Sequence, residues 1–232
     1  MEKTVTDTLP RAATPAPGRA GRRATSLAGA LALLVAVAGC TGGDDGGSGA
    51  TDSAPPAATV TVTGPLCDVL PSGSEPGNPA SLVGQPADRA LQWIPVLTTF
   101  EAAVRASGMA TELTGSQPVT ILAPTDDAFA AKFSRTNLDE LLLKDTEKLR
   151  GLLREHVVTG ALPAAELVSA GTVTTLAGTT LTVTGQGQGA RVDDEADLIC
   201  ADYQAVKARI HVINHVLGSL PTTANGDDHP AH

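Results

Sequence analysis

The stretch Val119-Thr-Ile-Leu-Ala-Pro-Thr-Asp-Asp-Ala-Phe129 decides the fold of this chain. It begins with a short run of β-branched and apolar residues, which is typical of a buried strand, and Pro124 ends that run. Thr125 or Asp126 can then cap a helix, because a side-chain oxygen at that position accepts a hydrogen bond from a free N–H of the first turn. The stretch therefore predicts a strand that leads directly into a capped helix.

Helical patterns surround this stretch in the first half of the chain, and strand patterns fill the second half. A helix is predicted over 98–109, with a capping box formed by Thr98 and Glu101. Asn137 and Asp145 are expected to cap two further helices. Strands are predicted at 157–158, 172–176, 180–184, 198–199 and 210–217. Helices first and strands afterwards predict an α+β domain, in which the helices pack on a β-sandwich or wedge of mostly C-terminal strands.

Three segments in this order resemble the fasciclin domain family. They are the 119–129 stretch, the central segment from Leu149 through His156-Val-Val-Thr-Gly160, and the final Ile210-His-Val-Ile-Asn-His-Val-Leu217. The resemblance covers about residues 93–221. It implies a single fasciclin-like domain that acts in adhesion or matrix interaction, with no cofactor.

A more particular resemblance is to the secreted and lipoprotein fasciclin antigens of mycobacteria. It is carried by Gly64-Pro-Leu-Cys67, Thr182-Val-Thr-Gly-Gln-Gly187 and Leu198-Ile-Cys200. It implies an actinobacterial surface protein with a disulfide from Cys67 to Cys200. With Cys40 set aside, these two cysteines are an even pair in an oxidising compartment, although two free thiols are the alternative.

The resemblance also directs attention to particular side chains. It implies that His156 is partly buried and ties a helix to a strand by hydrogen bonds. In animal relatives an aromatic residue before this histidine is implicated in integrin contact; Glu155 stands there in this chain, so that role is not carried over. The residues expected to serve structure or contact are Thr125, Asp126, Glu155, His156 and His211.

The N-terminal region carries an export signal. Arg22 and Arg23 precede an apolar run over 27–38, which is shorter than the roughly 20 residues needed to span a bilayer. The run ends in Val37-Ala38-Gly39-Cys40, which resembles the bacterial lipobox and predicts lipidation of Cys40. The arginine pair also allows twin-arginine export, but the general secretory route is favoured because the rest of that motif is weak.

Four segments follow from this pattern. Residues 1–39 form a cleaved signal peptide, and 40–63 form the lipidated cysteine and a flexible tether rich in Gly, Ser and Asp. Residues 64–221 form the fasciclin-like domain, and 222–232 form a disordered polar tail. The predicted location is the extracellular face of the cell membrane, with the lipid as membrane anchor and a surface protein, matrix or cell wall as partner.

Charge and motifs exclude several classes of function. The chain has 16 basic and 25 acidic residues, and removing residues 1–39 makes it more negative, so it is expected to repel nucleic acid. His211 and His215 form an H-x-x-x-H pattern, but on one face of a strand they would lie about 13 Å apart, too far for one zinc ion. No metal site and no catalytic residue are predicted.

Three functions compete. The favoured one is a non-catalytic adhesion or matrix-interaction module on a lipid tether. The alternative is a binding protein for a lipid or a cell-wall glycan, which would require a pocket lined by Leu and Val or exposed aromatic residues, for which Trp93 and Tyr203 are the candidates. A hydrolase using His156 or His211 is least favoured, because no nucleophile motif accompanies them.

Overall fold

The strand predicted at 119–123 lies in the interior of the molecule. In the computed structural model, which describes residues 60–187 and 189–220, strand β1 (Val119–Pro124) is buried along its whole length. It leads directly into helix α5 (Asp126–Lys132), and Thr125 stands between them. The predicted strand-to-helix unit is confirmed.

The helices and strands surround β1 in an α+β arrangement, as predicted. The other helices are α1 (Pro79–Leu82), α2 (Ala87–Leu91), α3 (Thr98–Ala106), α4 (Ala110–Leu113), α6 (Arg135–Leu143), α7 (Thr146–Arg154) and α8 (Ala164–Ala170). The other strands are β2 (Val157–Thr159), β3 (Thr172–Thr174), β4 (Thr180–Gln186), β5 (Gly189–Val192), β6 (Ala196–Ala205) and β7 (Ala208–Ile213). Short 3-10 turns cover Cys67–Val69 and Pro95–Leu97.

The strands form one sheet of seven, in the order β2-β1-β7-β6-β5-β4-β3. The last strand, β7, lies beside β1 and runs parallel to it, with Ile121 opposite Ile210. All the other neighbouring strands are antiparallel. The first and the last of these seven strands therefore lie side by side in the interior of the sheet.

The sheet curls until its two edges approach each other. Val158 of β2 forms a bridge with Thr175, just after β3, and the Leu176 N–H donates to the Val157 carbonyl at 2.7 Å. The curl makes a wedge with an inner and an outer face. Alternate residues of β1 serve the two faces, as strand geometry requires: Ile121 belongs to one buried cluster and Leu122 to the other.

Two buried clusters fill the domain. The larger cluster lies under the helices and contains the big aromatic side chains Phe100, Phe129, Phe133 and Tyr203. The smaller one lies inside the curl and is aliphatic, built from residues such as Leu122, Leu167, Val183, Val192, Leu198 and Ile213. Within the part of the chain that the structure describes, no helix is long and apolar enough to cross a membrane.

Two predicted helix caps are wrong. Thr98 is the first residue of α3 and not its cap, and the N-terminus of α3 is instead bound by Asp126 of α5. Helix α6 begins before Asn137, because the Ser134 hydroxyl accepts the Asn137 N–H at 3.2 Å and caps the helix. Asp145 stands at the N-cap of α7 as predicted, but its carboxylate contacts Lys148 and no backbone N–H of the helix.

Candidate functional site

His156 lies in the turn between α7 and β2 and is completely buried. Its Nδ1 lies 2.8 Å from the Leu152 carbonyl oxygen, and its Nε2 accepts the Leu217 N–H at 2.9 Å. Since a backbone N–H can only donate, Nε2 carries no proton and Nδ1–H donates to Leu152. The neutral ring thereby ties α7 to the segment that follows β7.

Burial holds His156 in its neutral form. Removal from solvent lowers the pKa of His156 to about 4, although the hydrogen bond to the Leu152 carbonyl opposes the shift. The ring of Phe100 packs against it edge-on, with 6.2 Å between the ring centroids. With both nitrogens bound to backbone and no access from solvent, this histidine has no free atom with which to move a substrate proton.

Glu155 does not join its neighbour in a catalytic pair. Its side chain is partly exposed, and one carboxylate oxygen accepts the Thr175 hydroxyl at 3.4 Å. It packs close to Gly218, where an added Cβ would lie 3.2 Å from the Glu155 Cγ. Glu155 therefore packs on the solvent side of the junction between α7, β2 and the segment after β7, whereas His156 is buried inside this junction.

Lys132 is a further residue of this junction that the sequence analysis missed. From the end of α5, its ammonium group donates to the Val216 carbonyl at 3.1 Å and to the Gly218 carbonyl at 2.7 Å. Partial burial lowers the pKa of Lys132, against the opposing field of Glu195. Together with His156, it fixes the chain after β7. Nothing in the sequence around Lys132 indicates a partner 84 residues away.

His211 builds a second junction on β7. It is completely buried, its Nδ1 accepts the Asp202 N–H at 3.2 Å, and its Nε2–H donates to the Leu162 carbonyl at 3.0 Å. Burial lowers the pKa of His211. Asp202 has φ = 76°, and its carboxylate accepts the Ala164 N–H at 2.9 Å. The two residues thus fix the loop before α8 against the sheet.

The H-x-x-x-H pattern does not form a metal site. His211 is bound to backbone at both nitrogens, whereas His215 lies beyond β7 and is half exposed near Glu195. The prediction that both histidines occupy one strand face is wrong, because β7 ends at Ile213. Across residues 60–187 and 189–220, no group of three His, Cys, Asp or Glu side chains is placed to hold a metal ion.

Thr125 and Asp126 connect two helices to the sheet. The Thr125 hydroxyl accepts the Ala128 N–H at 3.2 Å and caps α5. The Asp126 carboxylate accepts the Thr99 N–H at 2.6 Å and the Thr98 hydroxyl at 2.7 Å. Asp126 therefore supplies the N-terminal cap that α3 lacks in its own sequence.

Cys67 and Cys200 form a disulfide between the N-terminal segment and β6. Cys200 is buried in the larger cluster, and Cys67 packs against it from the 3-10 turn. The segment also pairs with β6 through backbone hydrogen bonds between Thr63 and Ala201 at 2.7 and 3.1 Å. The disulfide and the backbone hydrogen bonds therefore both hold the N-terminal segment on β6. Cys40 lies outside the described residues.

A cleft of about 640 Å³ lies between this N-terminal segment and strands β5 and β6. Its walls are mainly small or polar, and Val62, Leu198 and Ile199 are its larger aliphatic side chains. The pocket of leucines and valines that a lipid-binding function requires is not found here. Of the two aromatic candidates for sugar binding, Tyr203 is buried and Trp93 is half exposed.

Comparisons with known proteins agree with this architecture. The fasciclin domain description matches residues 95–220. The immunogenic protein MPB70 of Mycobacterium bovis is 35% identical over 172 residues, which cover 70% of this chain and 85% of that protein. Since the fasciclin domain matches more than half of this chain, the chain belongs to the fasciclin family, as its sequence motifs predicted.

Two further similarities each cover about half of this chain. Protein sll1483 of Synechocystis is 39% identical over 120 residues, which cover 52% of this chain and 66% of that protein. A solved FAS1 domain pair from the insect cell adhesion molecule fasciclin I is 25% identical; the match covers 52% of this chain and 44% of that chain, with a TM-score of 0.41.

Proposed function

We propose that this chain is an exported lipoprotein whose fasciclin domain is displayed on the outer face of the membrane and acts there as an adhesion or matrix-interaction module. The observation that carries the proposal is the segment Val37-Ala38-Gly39-Cys40, followed by a polar tether that ends where the folded domain begins. A diacylglyceryl group on Cys40 supplies two acyl chains, which is enough for stable anchoring. Residues 1–59 lie outside the described part of the chain.

The interior of the domain supports a non-catalytic role. The two histidines that would be the first candidates for acid–base chemistry are buried, and all four of their ring nitrogens bind backbone groups. General acid–base catalysis requires a free base within reach of a substrate proton, and neither histidine offers one. Family membership adds the expectation of a protein that works by contact at a cell surface or in a matrix.

The alternative function is binding of a lipid or a cell-wall glycan. The lining of the 640 Å³ cleft does not favour a lipid. The exposure of Trp93 favours the glycan, and that side chain is the basis of the inference below.

Metabolic labelling with a fatty acid tests the anchor. The wild type is expected to incorporate label and to partition into detergent, whereas Cys40→Ala should remain unlabelled and keep its signal peptide. Cys67→Ser is the matched control, because it removes a cysteine that is bound in a disulfide and should leave the labelling intact. Label that persists in Cys40→Ala would contradict the proposed anchor.

A further inference from the structure

A small cleft of about 160 Å³ lies between the loop that precedes α1 and the turn that follows α2. Its lining consists of Pro76, Gly77, Ser81, Leu82, Gln85 and Trp93. None of these side chains is charged. The cleft therefore suits a neutral ligand better than a phosphate, a carboxylate or an ammonium group.

Trp93 is the only tryptophan in the chain, and it is 50% exposed. The large aromatic side chains Phe100, Phe129, Phe133 and Tyr203 are all buried in the core. In a protein with 2% aromatic residues, the exposed indole is a distinct feature of the surface. Both the exposed Trp93 and the buried Leu82 line the cleft.

Local contacts hold the cleft in shape. Gly77 lies directly against the backbone of Trp93, so close that an added Cβ would meet the Trp93 carbonyl oxygen. The Asn78 side chain caps α1 by accepting the Ser81 N–H at 3.1 Å, and its amide nitrogen donates to the Glu75 carbonyl at 2.6 Å. Because these contacts are already present, a ligand would bind a preformed site and not have to order it.

The cleft also presents unused hydrogen-bonding groups. Among the described residues, neither the Gln85 amide nor the Trp93 indole N–H has a hydrogen-bond partner. The backbone of Gln85 is fixed, since its carbonyl accepts the Val206 N–H at 2.9 Å. An apolar wall next to free amide and N–H groups resembles small-molecule sites, in which a few polar groups orient a ligand held by apolar contact.

We propose that this cleft binds one neutral pyranose ring of a cell-wall glycan. The C–H face of a pyranose is apolar and can stack on the indole, while its hydroxyl groups can bond to Gln85 and to the indole N–H. A volume of about 160 Å³ accommodates one sugar ring, but not a long acyl chain. The inference rests on the proposed function, because the glycan is within reach only if the domain is displayed outside the membrane.

One shallow cleft would bind a single ring weakly. A polysaccharide offers the same ring many times, and an anchored surface presents many copies of the domain. Multivalent contact of this kind raises the overall affinity without further contacts in each cleft. The inference thus gives the adhesion function a partner and a site.

The fluorescence of the single tryptophan tests the inference directly, because all tryptophan emission comes from the cleft. The purified full-length protein, in a detergent without sugar groups, is titrated with a β-1,4-linked hexamer of N-acetylglucosamine and with maltohexaose. A saturable blue shift with at least one oligomer is expected. By calorimetry, Trp93→Ala should weaken binding about tenfold or more, because an aromatic contact and its buried area are lost.

Three variants serve as comparisons. Gln85→Ala should weaken binding less than Trp93→Ala, and Trp93→Phe should retain part of the affinity. Val69→Ala changes an exposed apolar residue outside the cleft and should bind as the wild type does. Thermal melts of each variant show whether the fold is kept.

Three results would overturn the inference: no shift with either oligomer, equal binding by the wild type and Trp93→Ala, or a blue shift that follows protein concentration alone. The last result would mean that a second copy of the chain covers Trp93. The anchor is tested separately by Cys40 labelling. If Cys40 is labelled but no sugar binds, only the proposed sugar site is rejected. If sugar binds but Cys40 is not labelled, the proposed display on the membrane is rejected.

Discussion

His156 stabilises the domain in its neutral form only. Its Nε2 is the acceptor for the buried Leu217 N–H, and a proton on that nitrogen would turn the acceptor into a donor. Burial of the ring lowers the pKa of His156 to about 4 from the usual value of 6.5, so the folded protein resists protonation. The unfolded chain has no such constraint and takes up a proton near pH 6.5.

Stability is expected to fall as the pH drops from 7 to 5. In this window the unfolded state binds a proton at His156 and the folded state does not, so the free energy of unfolding rises with pH. His156 alone accounts for a loss of about 2 kcal/mol between pH 7 and pH 5. The lowered pKa of the buried His211 acts in the same direction. Urea unfolding at both pH values measures the change.

The variant His156→Ala separates this effect from other titrations. At pH 7 it should be less stable by at least about 1–3 kcal/mol, because the Leu217 N–H loses its acceptor. The free energy of unfolding of the variant should also change less between pH 7 and pH 5. The stability difference between the variant and the wild type should therefore be smaller at pH 5 than at pH 7. His215→Ala removes a half-exposed histidine and serves as the control. An unchanged pH slope in His156→Ala would show that the histidine does not carry the effect.

At the scale of elements, Asp126 joins two helix ends with one carboxylate. It stands in the first turn of α5 and binds the first turn of α3, 27 residues earlier in the chain. The free N–H groups of a helix N-terminus favour such an anion, both by hydrogen bonding and through the helix dipole. Helix α3 is thereby bound to the first residue of α5, the helix that follows β1.

Asp126→Ala should lower the free energy of unfolding by about 0.5–2 kcal/mol, the range for loss of an N-terminal cap. Asp127→Ala is the matched control, since Asp127 lies in the same turn of α5 but is exposed. Both substitutions remove a negative charge from the N-terminus of α5, so their difference isolates the bond to α3. Chemical unfolding at pH 7 gives both values, and equal losses would show that the dipole alone accounts for Asp126.

The contrast between Thr125 and Asp126 shows what the sequence could and could not predict. The cap of α5 by Thr125 is local, three residues from its donor, and a sequence pattern is enough to predict it. The bond from Asp126 to α3 depends on where the fold places two distant segments. For the same reason the local pattern predicts Thr98 as a cap, although Thr98 is the first residue of the helix and the cap comes from Asp126.

Several elements were missed for related reasons. Helices α1, α2 and α8 have four, five and seven residues, which is shorter than the window of about 11–18 residues over which helical periodicity is recognised. The parallel pairing of β1 with β7 joins the first and the last of the seven strands, which alternation within each strand does not reveal. Lys132 and the exposure of Trp93 are likewise consequences of tertiary contacts.

At the scale of the whole molecule, the disulfide fastens the N-terminal segment to the sheet. The bond joins residues 133 positions apart and holds the segment against β6, where the folded domain meets the predicted tether. Closing so long a loop lowers the entropy of the unfolded chain by an amount worth about 4–5 kcal/mol. In a domain anchored through Cys40, a force on the tether would act on the N-terminal end of the domain. The disulfide would therefore strengthen the domain at that end.

Reduction should lower the melting temperature of the wild type by roughly 10 °C, given about 2–4 °C per kcal/mol for a domain of this size. Cys67→Ser should melt near the temperature of the reduced wild type, and dithiothreitol should not lower it further. Cys67 is the better site for substitution, because Cys200 is fully buried and a serine there would add the cost of an unpaired hydroxyl.

The wild type and Cys67→Ser also show how much the backbone hydrogen bonds contribute to holding the N-terminal segment. If the N-terminal segment stays on β6 through the hydrogen bonds between Thr63 and Ala201, Cys67→Ser should unfold in one transition at the lower temperature. If the disulfide alone holds it, the amide hydrogens of Thr63 and Ala201 should exchange rapidly in Cys67→Ser well below the melting temperature. A reduced wild type that melts as the oxidised protein does would mean that the backbone pairing is sufficient and that the disulfide adds little to the stability of the domain.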